Sequence, residues 1–286
     1  MEKGIEYDLV FLTTHQDNRY IFKYLDSISC NSSLKLYILI LSQEVTVEFS
    51  NVNQQIENLQ IAKMSLSKAR NIGLKYLSEK GISSKYIMFP DDDSTFDLNF
   101  FEEFNQLTRS GKNFIIPIYC ENSDKKLYLG KKLAEDTPLN YNHHYMIGSP
   151  NQIISYNRNV SNIYFDENLG VGALYGSCED FDLFLRLIES GESFLFTSKL
   201  YNYHPEKTNS FANLDSSLIY KRLKSYSLGF IYTVQKHKLY SLLLYFFVRP
   251  MLAAFYYILK FNFRLVWIYS KLFFFRVINT IKFLIK

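Results

Sequence analysis

The chain has 286 residues, of which 48% are hydrophobic and 17% aromatic, with 11 Gly and 6 Pro, so disordered and collagen-like classes are excluded. Its three Cys, at 30, 120 and 178, form no CxxC pair and no disulfide framework, which fits a reducing compartment. The net charge of +4 conceals a division: residues 1–215 carry all 28 acids against 20 Lys/Arg, whereas 216–286 carry 12 Lys/Arg and no acid.

The opening residues, Met1 to Asp8, hold acids where a secretion signal needs a basic start and an apolar run, so export by that route is not expected. Residues 7–12 and 34–41 are short β-rich runs, each followed by polar residues. Between them Ile21, Phe22, Leu25 and Ile28 recur at helical spacing and predict a helix over 18–29. A helix over 66–79 and a strand over 85–89 follow. Strand, helix, strand, helix, strand in this order predicts parallel β-structure with crossover helices. Ligands of such sheets bind beyond the carboxyl ends of the strands. A helix over 98–107, a strand over 114–119 and a helix over 179–190 continue the α/β pattern.

Beyond the strand at 85–89 lies Asp91-Asp92-Asp93. Three adjacent carboxylates repel one another, and clustering them without a cation is costly. Oxygen ligands of this kind suit Mg²⁺ or Mn²⁺, which typically take one or two carboxylates together with substrate phosphates. Capping the helix at 98–107 needs fewer acids than this. A second acidic pair, Glu179-Asp180, opens the helix at 179–190 after the glycines at 170, 172 and 176. A carboxylate beside another acid at such a helix start suits a general base. Asp182 and Arg186 are spaced for an i, i+4 ion pair.

The tail is greasy between its cations, with fifteen aromatics in 239–286, and nucleic-acid arms are usually polar there, so no nucleic-acid partner is expected. Arg249-Pro250 interrupts the apolar stretch 239–259, and no uncharged run reaches the roughly 18 residues of a spanning helix. Wound as a helix of about 3.6 residues per turn, 249–286 brings Arg249, Lys260, Arg264, Lys271, Lys282 and Lys286 into an arc of roughly 100°. Arg276 falls outside the arc, and Pro250 is expected to break the helix. A cationic stripe on an aromatic helix suits the headgroup layer of an anionic membrane.

Several of these features occur in one order: a first strand ending in Thr13-Thr14, a helix start Ser67-Lys-Ala-Arg70-Asn71-Ile-Gly73, the triple Asp, and Glu179-Asp180 followed by Asp182 and Arg186. Over about residues 5–205 the chain resembles the inverting glycosyltransferases of family 2, of the bacterial surface-polysaccharide type. The resemblance implies the GT-A fold, a Rossmann-like, mostly parallel mixed sheet flanked by helices. It implies a nucleotide-sugar donor, such as a UDP-sugar, and a divalent cation, Mn²⁺ or Mg²⁺. It further implies Asp93 as a metal ligand with His204, and Asp91 or Asp92 as the contact to the nucleoside. Thr14, Arg70 and Asn71 match donor-binding positions, and Glu179-Asp180 matches the catalytic acid pair, with Asp180 the base. The family often has Asp-Asp-Gly-Ser after the second strand, where this chain has Leu41-Ser42-Gln43-Glu44, so Ser42 or Gln43 stands in.

The expected organisation is a GT-A domain over 1–212 and a basic helical membrane anchor over 213–286, on the cytoplasmic face, with a saccharide or polyprenyl-linked acceptor. The alternatives are a haloacid-dehalogenase-like phosphatase using Asp91 and Asp93, or a non-catalytic membrane adaptor.

Overall fold

The alternation of strand and helix persists in the computed structural model, which describes residues 6–29, 34–45, 55–107, 111–123, 126–129, 131–156, 163–206 and 215–285. The first half comprises β1 (Glu6–His15), α1 (Asn18–Ser29), β2 (Leu36–Gln43), β3 (Gln55–Ile61), α2 (Leu66–Glu79), β4 (Ser83–Met88), α3 (Leu98–Leu107) and β5 (Asn113–Ile115). There follow β6 (Ile118–Cys120), β7 (Leu127–Leu129), β8 (Gln152–Ser155), α4 (Glu179–Glu189), β9 (Phe194–Phe196), β10 (Asn202–His204), α5 (Ser216–Lys236), α6 (Ser241–Leu259) and α7 (Phe263–Ile285). Two compact units emerge, one of Met1–Asp166 with Leu183–Glu206, the other of Glu167–Asp182 with Lys207–Lys286. The boundary expected at 212/213 lies outside the described residues.

In the first unit a seven-stranded sheet runs in the order β3-β2-β1-β4-β8-β5-β9. β1 pairs in parallel with both β2 and β4, whereas β8 runs antiparallel to β4 and β5. Leu9, Phe11, Ile38, Ile40, Tyr86 and Met88 are buried in the main core with residues of α1 and α3. Burying side chains of this size contributes roughly 1.5–3 kcal/mol each. Gly73 allows α2 to approach, because a Cβ there would stand 2.7 Å from Leu12 Cδ1. Chain order reverses between β1 and β4, the switch point at which open α/β sheets bind ligands.

The single strand expected at 114–119 is two. β5 belongs to the large sheet and β6 to a second sheet, β10-β6-β7, with Ile116 and Pro117 between them. Proline has no N–H to continue a ladder, so the chain changes sheets there. β3 went unread because its residues are polar and half-exposed; Glu57 within it accepts hydrogen bonds from the hydroxyls of Tyr37 and Tyr76.

In the second unit Pro250 does not break the tail helix. α6 continues through it, and the chain turns at residues 260–262, where Phe261 takes φ 52° and Asn262 Oδ1 accepts from Leu265 N. A proline leaves the carbonyl four residues earlier without its helical donor. That carbonyl is Phe246 O, and Arg276 Nη1 of α7 donates to it at 2.5 Å. The guanidinium also lies 3.8 Å from the Phe246 ring centroid and donates from Nε to Ser227 Oγ of α5 at 3.0 Å. Arg276 therefore departs from the cationic arc because it compensates the proline, and the turn divides the arc between two helices.

Arg276→Met is expected to destabilise the chain by about 1.5–3 kcal/mol, the usual cost of leaving such groups unsatisfied. Pro250→Ala restores an N–H for Phe246 O, so it recovers more stability in the Arg276→Met background than in the parent. A double-mutant cycle of urea midpoints measures the coupling.

Candidate functional site

At the switch point the carboxyl ends of β1 and β4 deliver two groups of side chains. β4 ends at Met88, and buried Phe89 and Pro90 lead into the triple Asp. The ligand atoms of Asp91, Asp93 and His204 lie within 4.8 Å of one another. His204 is the last residue of β10, so the two segments meet without being near in sequence. A backbone bridge between Thr95 and Tyr203 fixes that meeting.

His204 is oriented from two sides. Its Nδ1 lies 2.9 Å from the carbonyl of Pro205, its ring stacks on Tyr128 at 4.0 Å, and its Nε2 lies 3.1 Å from Asp93 Oδ1. A proton on Nδ1, held by a carbonyl, leaves Nε2 to act as a ligand, the usual arrangement of a metal-binding histidine. Burial pulls the imidazole pKa down, but hydrogen bonds to Asp93 and Pro205 and the Asp93 and Asp91 charges raise it overall. Burial lifts Asp91 to about 6, with Arg70 opposing and Asp93 adding to the rise.

These donors fit a hard divalent ion. Two carboxylates and one imidazole nitrogen converge within 4.8 Å, so Asp91, Asp93 and His204 would hold such an ion together. Binding would displace the His204 proton, because a ligating imidazole must be neutral. Mn²⁺ affinity is therefore expected to climb as pH rises through the raised imidazole pKa, by up to about tenfold per unit per proton. His204→Gln should remove one released proton, which calorimetry in buffers of different ionisation enthalpy counts.

Asp92 turns elsewhere. Its Oδ2 lies 2.8 Å from His15 Nδ1, and His15 Nε2 lies 2.8 Å from Asn18 Oδ1. His15 is fully buried, and two acceptors facing both ring nitrogens favour the imidazolium, so its pKa is raised despite burial. The three aspartates thus divide into a pair with His204 and a single residue with His15.

Arg70 reaches the site from α2 with a side chain only 2% exposed. Its guanidinium stands 3.6 Å from Asp91, donates to Ser149 Oγ, and lies 5.1 Å from the Phe165 ring. Neighbouring Asn71 binds the Phe165 backbone twice, Nδ2 to the carbonyl at 2.9 Å and Oδ1 from the N–H at 2.7 Å. Asn71 therefore holds the ring that supports Arg70. Thr14 is half-buried near the end of β1, opposite Leu41 of β2. Ser42 is fully buried and donates to Asn58 Oδ1 at 2.7 Å, while Gln43 Oε1 accepts from Met64 N at 2.9 Å. Both side chains, expected to stand in for the acids of the family that the sequence resembles, are thus used within the protein.

In the second unit, Glu179 and Asp180 open α4, with Asp182 also in its first turn. Carboxylates there complement the positive end of the helix. Glu179 is buried and Asp180 half-buried. Asp182 is engaged by His237 and Lys236, a long-range pairing that helical spacing does not reveal. Arg186, in the first unit, lies 4.2 Å over the Tyr164 ring.

His15, Ser149 and Tyr128 were missed in the sequence. His15 had a signal, a polar residue directly after Thr14 at a strand's carboxyl end. Ser149 and Tyr128 had none, since only tertiary pairing brings them in.

No family model matches the chain, and no curated protein matches it. Solved structures do. S. aureus TarS aligns with TM-score 0.53 and 14% identity over 77% of this chain and 39% of its own. S. aureus TarS 1–349 in complex with UDP-GlcNAc gives TM-score 0.53 and 13% identity, over 78% and 66% respectively. GalNAc-T7 with UDP, GalNAc and Mn²⁺ gives TM-score 0.54 and 10% identity, over 80% and 48%. The chain has the GT-A fold. It spans less than two thirds of each of these proteins. In the GT-A sheet of this chain the Asp91–Asp93–His204 set lies just past the carboxyl end of β4.

Proposed function

We propose that the protein is an inverting, family 2 type glycosyltransferase that moves a sugar from a nucleotide diphosphate, by preference a UDP-sugar, to a hydroxyl of a saccharide acceptor. The observation that carries this is the Asp91–Asp93–His204 cluster at the switch point of a GT-A sheet. Asp93, His204 and Asp91 would hold a divalent cation, Mn²⁺ or Mg²⁺. When bound, such an ion supplies Lewis acidity to a departing diphosphate. Arg70 adds a fixed positive charge beside it, which stabilises the phosphate oxygens as they gain charge. Thr14, Ser42, Asn71 and Asp92 bind or shape the nucleotide site, with the Ser42 hydroxyl held by Asn58. Asp180, beside Glu179, takes the proton of the acceptor hydroxyl as its oxygen attacks the anomeric carbon and the nucleoside diphosphate leaves.

The phosphatase alternative needs its nucleophile at the start of the fold, and Asp91 follows the fourth strand. We take the acceptor to be lipid-linked, such as a polyprenyl-diphosphate saccharide, and the protein to work peripherally on the cytoplasmic face of a membrane. Support comes from α6 and α7, on which Leu252, Phe255, Trp267 and Phe274 are more than half exposed alongside exposed Lys260, Lys271 and Lys282. α6 is also long and apolar enough to cross a membrane, by length and composition alone.

A thermal-shift screen of nucleotide sugars with Mn²⁺ tests the donor, since a ligand bound only by the native state raises its stability. Stabilisation by UDP-sugars that EDTA abolishes is the expected result; indifference to every nucleotide would contradict the proposal. For the membrane, the full chain should sediment with phosphatidylglycerol vesicles and not with phosphatidylcholine vesicles. Lys260→Glu, Lys271→Glu and Lys282→Glu together should release it.

A further inference from the structure

We infer that α5 and α7 form the positioning scaffold of the Glu179–Asp180 pair, acting chiefly through Asp182, so that the basic helical tail belongs to the catalytic apparatus as well as to any membrane contact. The inference rests on the reading of Asp180 as the base. It is carried by four attachments, all within the second unit.

The first is electrostatic. The Asp182 side chain is fully buried, and its Oδ1 lies 2.9 Å from His237 Nε2 and 2.8 Å from Lys236 Nζ, at the carboxyl end of α5. A buried carboxylate without such partners is costly, so α5 and the first turn of α4 stay together. The second is a hydrogen bond from Ser177 Oγ to the carbonyl of Tyr226, at 3.1 Å. The third is a close approach: a Cβ at Gly229 of α5 would lie 2.4 Å from Ser177 O, so only glycine permits the contact. The fourth is aromatic, with Tyr175 stacked on Tyr232 of α5 at 4.6 Å and 5.7 Å from Phe283 of α7.

Between these attachments the backbone is under constraint. Cys178 adopts φ 70°, a left-handed conformation that a residue with a side chain takes only where its surroundings impose it. Asp180 sits two residues after Cys178 and two before Asp182. A general base works only when held near its productive geometry, to about half an ångström. Residues 175, 177 and 182 are the points at which α5 and α7 hold that stretch. His237 is accordingly a positioning residue, exerting its effect through Asp182.

The test uses the full chain. Hydrogen exchange of the amides in 176–184 reads the positioning directly, and UDP release from UDP-N-acetylglucosamine with Mn²⁺, in which water takes the acceptor's place and gives its proton to the base, reads its consequence. His237→Ala is expected to speed exchange across 176–184 at least tenfold. It should lower kcat at least tenfold and leave the UDP dissociation constant within twofold. His237→Asn, which keeps an N–H for Asp182, should recover threefold or more of the lost kcat. Added to Asp180→Asn, His237→Ala should cost less than a further twofold, because both act on one step. If His237→Ala does not fold, Lys236→Met, at a side chain 31% exposed, must give the same split in smaller measure. Unchanged exchange and unchanged kcat in the His237 or Lys236 variant, with Asp180→Asn inactive, overturns the inference and leaves the base assignment standing. Normal turnover by Asp180→Asn overturns the base assignment itself.

Discussion

Asp93→Ala is expected to weaken Mn²⁺-dependent UDP binding by about 100-fold or more and to abolish donor turnover. Losing even an outer partner of a metal ligand costs roughly 10–100-fold in affinity or activity, so losing a ligand should reach at least the upper end. In the proposed metal site Asp93 would tie the set together, since His204 Nε2 faces its Oδ1 at 3.1 Å. Without it the imidazole loses the charge that raises its pKa, and Asp91 loses a repelling neighbour. Asp91 should then titrate closer to an ordinary carboxylate. The fold should survive, because Asp93 is half-buried outside the core and makes no backbone contact that holds β4 or β10 among the described residues. Isothermal titration with UDP, with and without Mn²⁺, separates the two effects. Retained Mn²⁺-dependent binding would remove Asp93 from the site.

The second large effect is the opposite in kind. Asp180→Asn should leave UDP and Mn²⁺ binding within about twofold and lower kcat for transfer by roughly 10²–10⁴, the usual worth of a general base. The asparagine keeps the size and polarity of the side chain but cannot accept a proton. Its effect on binding is small because Asp180 is proposed to act on the acceptor hydroxyl, whereas the nucleotide is proposed to rest on Asp91, Asp93, Arg70 and His204. Initial rates against donor concentration resolve the split: kcat falls and the donor KM holds. Normal kcat in Asp180→Asn would remove the base assignment and leave the metal centre intact.

The periodic parts of the fold were legible in the residues. α1 and α2 match their predicted spans of 18–29 and 66–79, because Ile21, Leu25 and Ile28, or Ala69, Leu74 and Leu77, recur on one buried face. The long parallel strands were legible because continuous apolar runs such as Leu36–Leu41 are buried on both sides. The short strands were not. β8, β9 and β10 are three or four residues each, below the length at which a periodicity can be counted. Their pairing is decided by partners distant in sequence.

The site follows the same division. The triple Asp was visible because like charges next to one another are costly, and Arg70 was visible only through the order of motifs. What was hidden is tertiary: Asp92 turning to His15, Tyr128 stacking on His204, and Asp182 held by α5. Pro250 is the clearest failure of a local rule. Helix-breaking by proline is argued from the orphaned carbonyl, and here a residue 26 positions later, Arg276, supplies the missing donor.

The most direct measurement is a titration of free Mn²⁺, followed by its electron paramagnetic resonance signal, with the full chain in the presence of UDP. One Mn²⁺ should be taken up per chain by the parent protein, and that uptake should be lost in both Asp93→Ala and His204→Ala. Stoichiometric Mn²⁺ uptake that persists in both variants would contradict the proposed metal site.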